Sequence, residues 1–296
     1  MKKHKDIVCW WSGGITSAVA CKKAIDIYGL DRCIFIFLGT GNEDPDTYRF
    51  KKDCESWYGA KIHTLTQIGK KWKSIQDIWE HYLTLNSATG AICSSELKRD
   101  VRLKFEKQYK YTHQVFGFDL DEAKRVKSLF YNHPQAKPIF PLLMFGLLKK
   151  ECIKIVQEAG IEPPRMYQLG FKNNNCFQTG CIQGGIGYWK KMKEEFPEKF
   201  NAMADMEHRL TDEKGKPVTM LKDQSEYAKR KGIFHVFLKP HYDYPYHKSI
   251  DDMKGRPVEP LMECNGFCGT NDFDKRKETE QEINFEFDFG VDDIKL

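Results

Sequence analysis

Apolar positions follow two rhythms along this chain. Short unbroken runs alternate with longer stretches in which apolar residues return every third or fourth position. Residues 6–11 form a run of strand length that stops at Ser12-Gly13-Gly14. Residues 15–28 carry helical spacing, and Gly29 is placed to end that helix. The run CIFIFL at 33–38 has the composition of a buried parallel strand. Asp44-Pro45 then opens a second helix, with a capping acid and a proline at the first helical position. Phe50, Cys54, Trp57 and Tyr58 fall on one of its faces, and Gly59 ends it. Residues 61–66 alternate as a strand, and Ser74 opens a helix with Ile75, Ile78, Trp79, Tyr82 and Leu83 as its apolar face. Residues 95–109 read as a basic amphipathic helix, 114–118 as a strand, and a further helix follows from about Asp121. Strands alternating with helices predict an α/β fold, a doubly wound, Rossmann-like parallel sheet covered on both faces, with right-handed crossovers.

Beyond Ile139 the rhythm changes. One helix is expected from Lys149 to Ala159, closed by Gly160, and Pro163-Pro164 breaks the chain. A stretch rich in Gly and Cys occupies 173–187, and helices start near Tyr188 and Pro197. Residues 238–263 are rich in Pro, Tyr and His and read as a long loop. The segment INFEFDF alternates as a strand within an acidic tail. The expected division is a nucleotide-binding domain at 1–160, a helical and loop-rich extension at 161–270, and the acidic tail at 271–296.

Composition bounds the reading. A chain of 296 residues with 41% hydrophobic content can bury a sizeable core. No apolar run reaches the ~18–20 residues that span a bilayer. The start, MKKHKDIVCWW, lacks the apolar stretch and cleavage site of a signal peptide. A soluble, cytoplasmic protein with no membrane partner is expected, and its ten cysteines are then not a disulfide framework. Cys9, Cys21 and Cys33 fall inside apolar segments and read as core residues. The formal charge is +5, but from Thr270 onward nine acids face four bases, which leaves the body at +10. Such a body suits a polyanionic ligand, or it is ordinary surface lysine.

The chemistry starts at Ser12-Gly13-Gly14-Ile15-Thr16-Ser17. Glycines between a buried strand and a helix let the backbone approach a phosphate. The N–H groups and dipole of the helix start favour an anion, and Ser12, Thr16 and Ser17 add hydroxyls. The alternative is a plain tight turn. The GxxxxGK[ST] and GxGxxG patterns are both absent.

WSGGITS resembles the SGGxDS loop of the ATP pyrophosphatases (PP-loop proteins), the adenine nucleotide alpha hydrolase-like superfamily. Further segments resemble its phosphoadenylyl-sulfate (PAPS) reductase-like branch. These are LGTGNEDPDTYRF, CSSELKRDVR, GFDLDEAKR, PIFPLL and PPRMYQLGFKNNNCFQTGC, which occur in order as far as Cys181. The resemblance implies that Ser12, Gly13, Gly14 and Ser17 hold a pyrophosphate, with Thr16 among them. Gly41, Asn42 and Glu43 would lie near an adenine nucleotide such as ATP with Mg²⁺. Lys98 and Arg125 would contact phosphate or substrate as catalytic clamps. Two departures stand out: Thr16 occupies the loop aspartate's place, and the Glu-Cys-Gly-Leu-His tail of true PAPS reductases is missing.

Cys176-x4-Cys181 and Cys264-x3-Cys268 each sit among glycine and polar residues, an arrangement from which four thiolates could converge on one metal. Soft sulfur ligands suit Zn²⁺ or a 4Fe–4S cluster, and unliganded cysteines are the alternative. The resemblance adds Cys93 as a fifth candidate, followed here by Ser94. HVFLKPHYDYPYH at 235–247 is either a base-stacking surface or a packed loop. Gly184, Gly185 and Gly187 suggest a close backbone approach to a ligand or an adaptable turn. Lys190, Lys191 and Lys193 suggest a basic edge or a solvated helix face, and His208 reads as surface. The leading expectation is an enzyme that adenylates a substrate with release of pyrophosphate, in sulfur transfer or thiolation. Its alternatives are a sulfonucleotide reductase and a non-catalytic nucleotide or nucleic-acid binding module. The partners implied are an adenine nucleotide and either a nucleic-acid substrate or a sulfur-donor protein.

Overall fold

The computed structural model describes residues 4–87, 90–174 and 176–261. Strand β1 (Ile7–Trp10) leads into helix α1 (Ile15–Tyr28), and β2 (Cys33–Leu38) returns parallel to β1 with Cys33 opposite Ile7. Helix α2 (Pro45–Tyr58) carries the chain to β3 (Ile62–Leu65), outside β2. Helix α3 (Ile75–Tyr82) follows, then an antiparallel pair, β4 (Asn86–Ser87) and β5 (Gly90–Ala91). A short α4 (Ile92–Ser94) continues through a π-helical stretch, Ser95–Arg99, into α5 (Asp100–Gln108). The chain then crosses to the other side of β1. Strand β6 (His113–Val115) pairs with β1, and β7 (Pro138–Ile139) pairs with β6 after α6 (Ala123–Asn132). The order is β3-β2-β1-β6-β7, with every pairing parallel. This is the doubly wound α/β sheet expected from the sequence. Its winding reverses direction at β1, so the ligand crevice of such a sheet lies past the C-terminal ends of β1 and β6.

Local signals explain the elements. Asp44 accepts a hydrogen bond from Asp46 N at 3.0 Å and caps α2, and Gly59 closes that helix in the left-handed region. Ser74 and Asp77 form a reciprocal capping box on α3. Ile7, Cys9 and Trp11 pack on one face of the sheet with α1, α2 and the later helix at 149–158, while Val8 and Trp10 pack on the other with Val101, Phe105 and Leu129. Cys9, Cys21 and Cys33 are core residues. On the second face lies a buried polar chain. Trp10 Nε1 donates to Gln114 Oε1 (2.6 Å), while Gln114 Nε2 and Arg102 Nη1 donate to Glu106 Oε1 (2.8 and 2.6 Å). Arg102 is 1% exposed, so removing Glu106 would take the ion-pair partner from a buried cation at a cost of roughly 3–5 kcal/mol.

Helices α7 (Pro141–Met144) and α8 (Lys149–Glu158) follow the sheet and pack on α1, and the extension begins with α9 (Arg165–Gln168). Helices α10 (Ile186–Glu195) and α11 (Pro197–Lys214) pack together. Strand β8 (Leu221–Lys222), helix α12 (Glu226–Lys231), and strands β9 (His235–Phe237) and β10 (Lys248–Ser249) complete it. The three strands form a sheet in the order β10-β9-β8. Its core is continuous with residues far upstream. Trp79 and Leu97 share one apolar cluster with Trp189, Phe200 and Val236.

Two expectations, the helix at 95–109 and a surface His208, are corrected, and two open alternatives are narrowed. The helix read at 95–109 starts as α4, widens into the π-helical Ser95–Arg99 and becomes α-helical only from Asp100. Residues Gly184, Gly185 and Gly187 are approached closely by their own chain. A Cβ there would meet the Tyr188 ring, the Glu259 carboxylate and the Pro257 carbonyl oxygen, at 2.2, 2.7 and 2.1 Å. His208 is half-buried, 3.2 Å from the Lys239 carbonyl oxygen and edge-on to His241. The lysines of the supposed basic edge are each engaged: Lys190 with the Met253 carbonyl, Lys191 with Glu195 and Lys193 with Asp251. The acidic tail and its INFEFDF segment lie outside the described residues.

Candidate functional site

The turn Ser12-Gly13-Gly14 stands at the C-terminal end of β1, at the switch point of the sheet. Gly13 has φ +89°, a conformation L side chains rarely adopt, and a Cβ on it would lie 2.9 Å from Thr47 Cγ2. Gly14 is the N-cap of α1 and supplies no capping side chain. The first-turn N–H groups of α1 therefore have no carbonyl partner within the helix. Ser17 holds the turn in shape. Its Oγ accepts from Ser12 N (3.0 Å) and Ser12 Oγ (2.9 Å) and donates to the Gly14 carbonyl (2.9 Å). Gly117, just past β6, lets the end of that strand approach the start of α1, since a Cβ there would lie 2.5 Å from Ser17 Cα. Thr16 is buried in the first turn.

Residues 165–174, part of the PPRMYQLGFKNNNCFQTGC stretch, lie over this turn. Tyr167 on α9 accepts a hydrogen bond from Ile15 N through its hydroxyl (3.2 Å). Asn174 Nδ2 donates to the Gly13 carbonyl (2.9 Å) and to Thr47 Oγ1 (3.0 Å). Asn174 Oδ1 is buried with no hydrogen-bond partner among the described residues. Arg165 anchors the segment by a two-pronged ion pair to the fully buried Asp44, at 2.8 and 2.5 Å. In the sequence, the Pro163-Pro164 break and the PPRMYQLGFKNNNCFQTGC resemblance pointed to this segment, but not to the contacts of Tyr167 and Asn174.

Gly41, Asn42 and Glu43 follow β2 and join the turn region to the cysteine loop. Gly41 has φ +67° and packs against Ile68. Glu43 accepts from Thr40 N (2.8 Å), Thr40 Oγ1 (2.7 Å) and Tyr48 OH (2.9 Å). Asn42 Nδ2 donates to Thr179 Oγ1 at 2.6 Å, and Glu43 makes a β-bridge with Cys176. Both side chains are buried; that of Asn42 holds the loop at 176–179, while that of Glu43 braces Thr40 and Tyr48.

Beside them is a narrow pocket in which Cys93, Cys176 and Cys181 come together with Thr40, Lys98 and Trp79. Thr40 Oγ1 lies 3.5 Å from Cys176 Sγ. The π-helical stretch brings Lys98 to this lining, where the side chain is buried. Its neighbour Glu96 accepts from Lys71 (2.7 Å), Trp72 Nε1 (3.3 Å) and Tyr82 OH (2.7 Å). These bonds hold the carboxyl below its ordinary range despite burial, which pushes the other way. The second clamp candidate, Arg125, does not line this pocket. It pairs with Glu122 and lies over the Phe118 ring at 4.3 Å. Among the described residues no group of three or more His, Cys, Asp or Glu side chains is set to hold a metal ion. Cys264 and Cys268, the other half of the expected four-thiolate site, lie outside the described residues.

The chain matches no protein-family model and no curated protein. Among solved structures it is similar to phosphoadenylyl-sulfate (PAPS) reductase from Candida auris in a phosphate complex. The identity is 14% and the TM-score 0.43, over 58% of this chain and 81% of that one. Among the described residues no helix is long and apolar enough to cross a membrane.

Proposed function

We propose that this chain is a nucleotide-binding enzyme that seats the phosphates of ATP on Ser12-Gly13-Gly14 and handles sulfur at the neighbouring thiol pocket. The observation that carries this reading is position. A glycine turn opening a 14-residue helix stands at the switch point of a parallel sheet, where such sheets bind ligands. The reaction that suits it is adenylation. A substrate oxygen attacks the α-phosphorus of ATP, the bond to the α,β-bridging oxygen breaks, and pyrophosphate departs with the electron pair. The N–H groups of the α1 start would stabilise the growing charge on the leaving group. Ser17 would keep the turn in shape, and Lys98 would add positive charge at the pocket. The AMP left on the substrate oxygen is then a leaving group for a sulfur nucleophile.

Soft thiolates fit zinc or an iron–sulfur cluster by donor chemistry. The described residues alone do not complete such a centre, so the proposed step does not pass through one. Calorimetric titration with ATP and with inorganic pyrophosphate tests the nucleotide assignment. Binding to the native chain and its loss in Gly13→Val, with folding retained by circular dichroism, is the expected result. Equal binding by both proteins would refute the site. Metal analysis of anaerobically purified protein tests the thiols. Iron with acid-labile sulfide, or zinc, should fall to background in Cys176→Ala and Cys181→Ala. Metal unchanged in both variants would remove these thiols from any shared centre.

A further inference from the structure

The extension carries a second surface that the nucleotide site does not use. Lys222, the last residue of β8, stands opposite His235, the first of β9. Lys248, the first of β10, stands beside Val236. The end of β8 and the starts of β9 and β10 thus share one end of the small sheet. Helix α12 lies in the connection from β8 to β9, so it stands at that end too. Contacts confirm the convergence: His247 Nδ1 is 3.3 Å from the His235 carbonyl oxygen, and Lys248 Nζ donates to Asp223 at 2.8 Å.

Two kinds of side chain gather here. The rings of Phe234 and His235 stack at 4.5 Å, and His247 lies edge-on to His235 at 5.6 Å. Tyr227 and Tyr246 stand out into solvent, 62% and 83% exposed. The same segments carry the exposed cations Lys222, Lys229, Arg230, Lys231 and Lys248, with Lys222 lying over the Phe234 ring at 5.8 Å. Segments 222–235 and 246–248 hold these five bases against two acids, and each acid is already paired, Asp223 with Lys248 and Glu226 with Lys229. Burial lowers the His235 pKa to about 4, so its ring is neutral at pH 7.

We propose that this end of the β8–β9–β10 sheet, with α12, binds single-stranded nucleic acid. Exposed ring faces offer stacking to unpaired bases, and the surrounding cations follow the phosphate backbone. The net positive charge decides for a polyanion, and the projecting tyrosines decide for one with free base faces.

The test is anisotropy of a fluorescein-labelled 12-nucleotide single strand titrated with the full chain. Binding should weaken steeply with salt. Tyr227→Ala and Tyr246→Ala should each weaken it roughly ten-fold by loss of a stacking face. Replacing Lys229, Arg230 and Lys231 by Glu should abolish it at moderate salt. Tyr242→Ala is the control: Tyr242 is also exposed but donates to Asp212, and its loss should leave affinity unchanged. ATP titration should be unaltered in every variant. No binding at low salt would overturn the proposal, as would equal losses in the Tyr242 and Tyr246 variants. Binding to phosphatidylserine vesicles but not to the oligonucleotide would overturn it in favour of a lipid surface.

Discussion

The hydroxyl of Tyr167 sits 3.2 Å from the backbone nitrogen of Ile15 and accepts its hydrogen bond. A phenol oxygen thus occupies one of the donor positions that the proposed phosphate needs. A bound pyrophosphate oxygen taking that N–H must first displace the phenol. Tyr167→Phe removes the competitor and leaves the ring in place. Because a hydrogen bond nets about 1 kcal/mol, affinity for inorganic pyrophosphate should rise roughly five-fold. Calorimetric titration of both proteins measures it. A weaker affinity in the variant would make Tyr167 a ligand of the phosphate rather than its competitor.

A second prediction concerns the floor of the same turn. A Cβ on Gly117 would lie 2.5 Å from Ser17 Cα and 2.6 Å from Ser17 N. Both are backbone atoms, so no side chain can swing aside. Gly117→Ala must push the end of β6 away from the start of α1, at a cost of roughly 1–3 kcal/mol. Gly255→Ala meets nothing within 4 Å and should stay within about 0.5 kcal/mol of the parent. Urea unfolding of the three proteins gives the ranking. Equal stabilities would mean that the end of β6 and the start of α1 do not meet as described.

The sheet and its turn were legible in the sequence because their signals are local. Residues 33–38 are one unbroken apolar run, Asp44-Pro45 is a cap and a first-turn proline, and Gly13-Gly14 directly follows a buried strand. What was hidden depends on partners distant in sequence. Ser95–Arg99 has ordinary helical composition, and nothing in it announces a π-turn that brings Lys98 to a pocket shared with Cys181. Gly185 and Gly187 suggested a close backbone approach to a ligand or an adaptable turn, and nothing in the sequence showed that residues 257–259 of the same chain are what approaches. Tyr167 and Asn174 gained their roles only when residues 165–174 met the turn at 13–15. Glu207 was hidden in the same way. It is one acid in a helix that also carries Glu198, Asp205, Asp212 and Glu213, and the backbone groups that bury it come from residues 220 and 238.

That glutamate gives the last prediction. Glu207 is fully buried on α11, where Oε1 accepts from Met220 N at 2.9 Å and Oε2 from Leu238 N at 2.7 Å. One carboxyl thereby ties the chain entering β8 and the chain leaving β9 to the same helix. Burial raises its pKa to about 8 against an ordinary 4.5, while the two backbone hydrogen bonds oppose the rise. Between those values the folded chain holds a proton that the unfolded chain has released. The resulting stabilisation is full below about pH 4.5, declines as pH rises, and is lost as pH passes through 8. The limiting slope is about 1.4 kcal/mol per pH unit for a single proton. Glu207→Gln cannot ionise and should remove that slope. It also presents an amide donor to one of the two N–H groups, so the variant should be less stable at pH 5.5 by roughly 1–3 kcal/mol. Urea unfolding at pH 5.5 and 8.5 measures both effects: the parent should lose stability between the two pH values, and the variant should lose markedly less. Parallel losses in both proteins would show that Glu207 is already ionised in the fold and that its two hydrogen bonds outweigh burial.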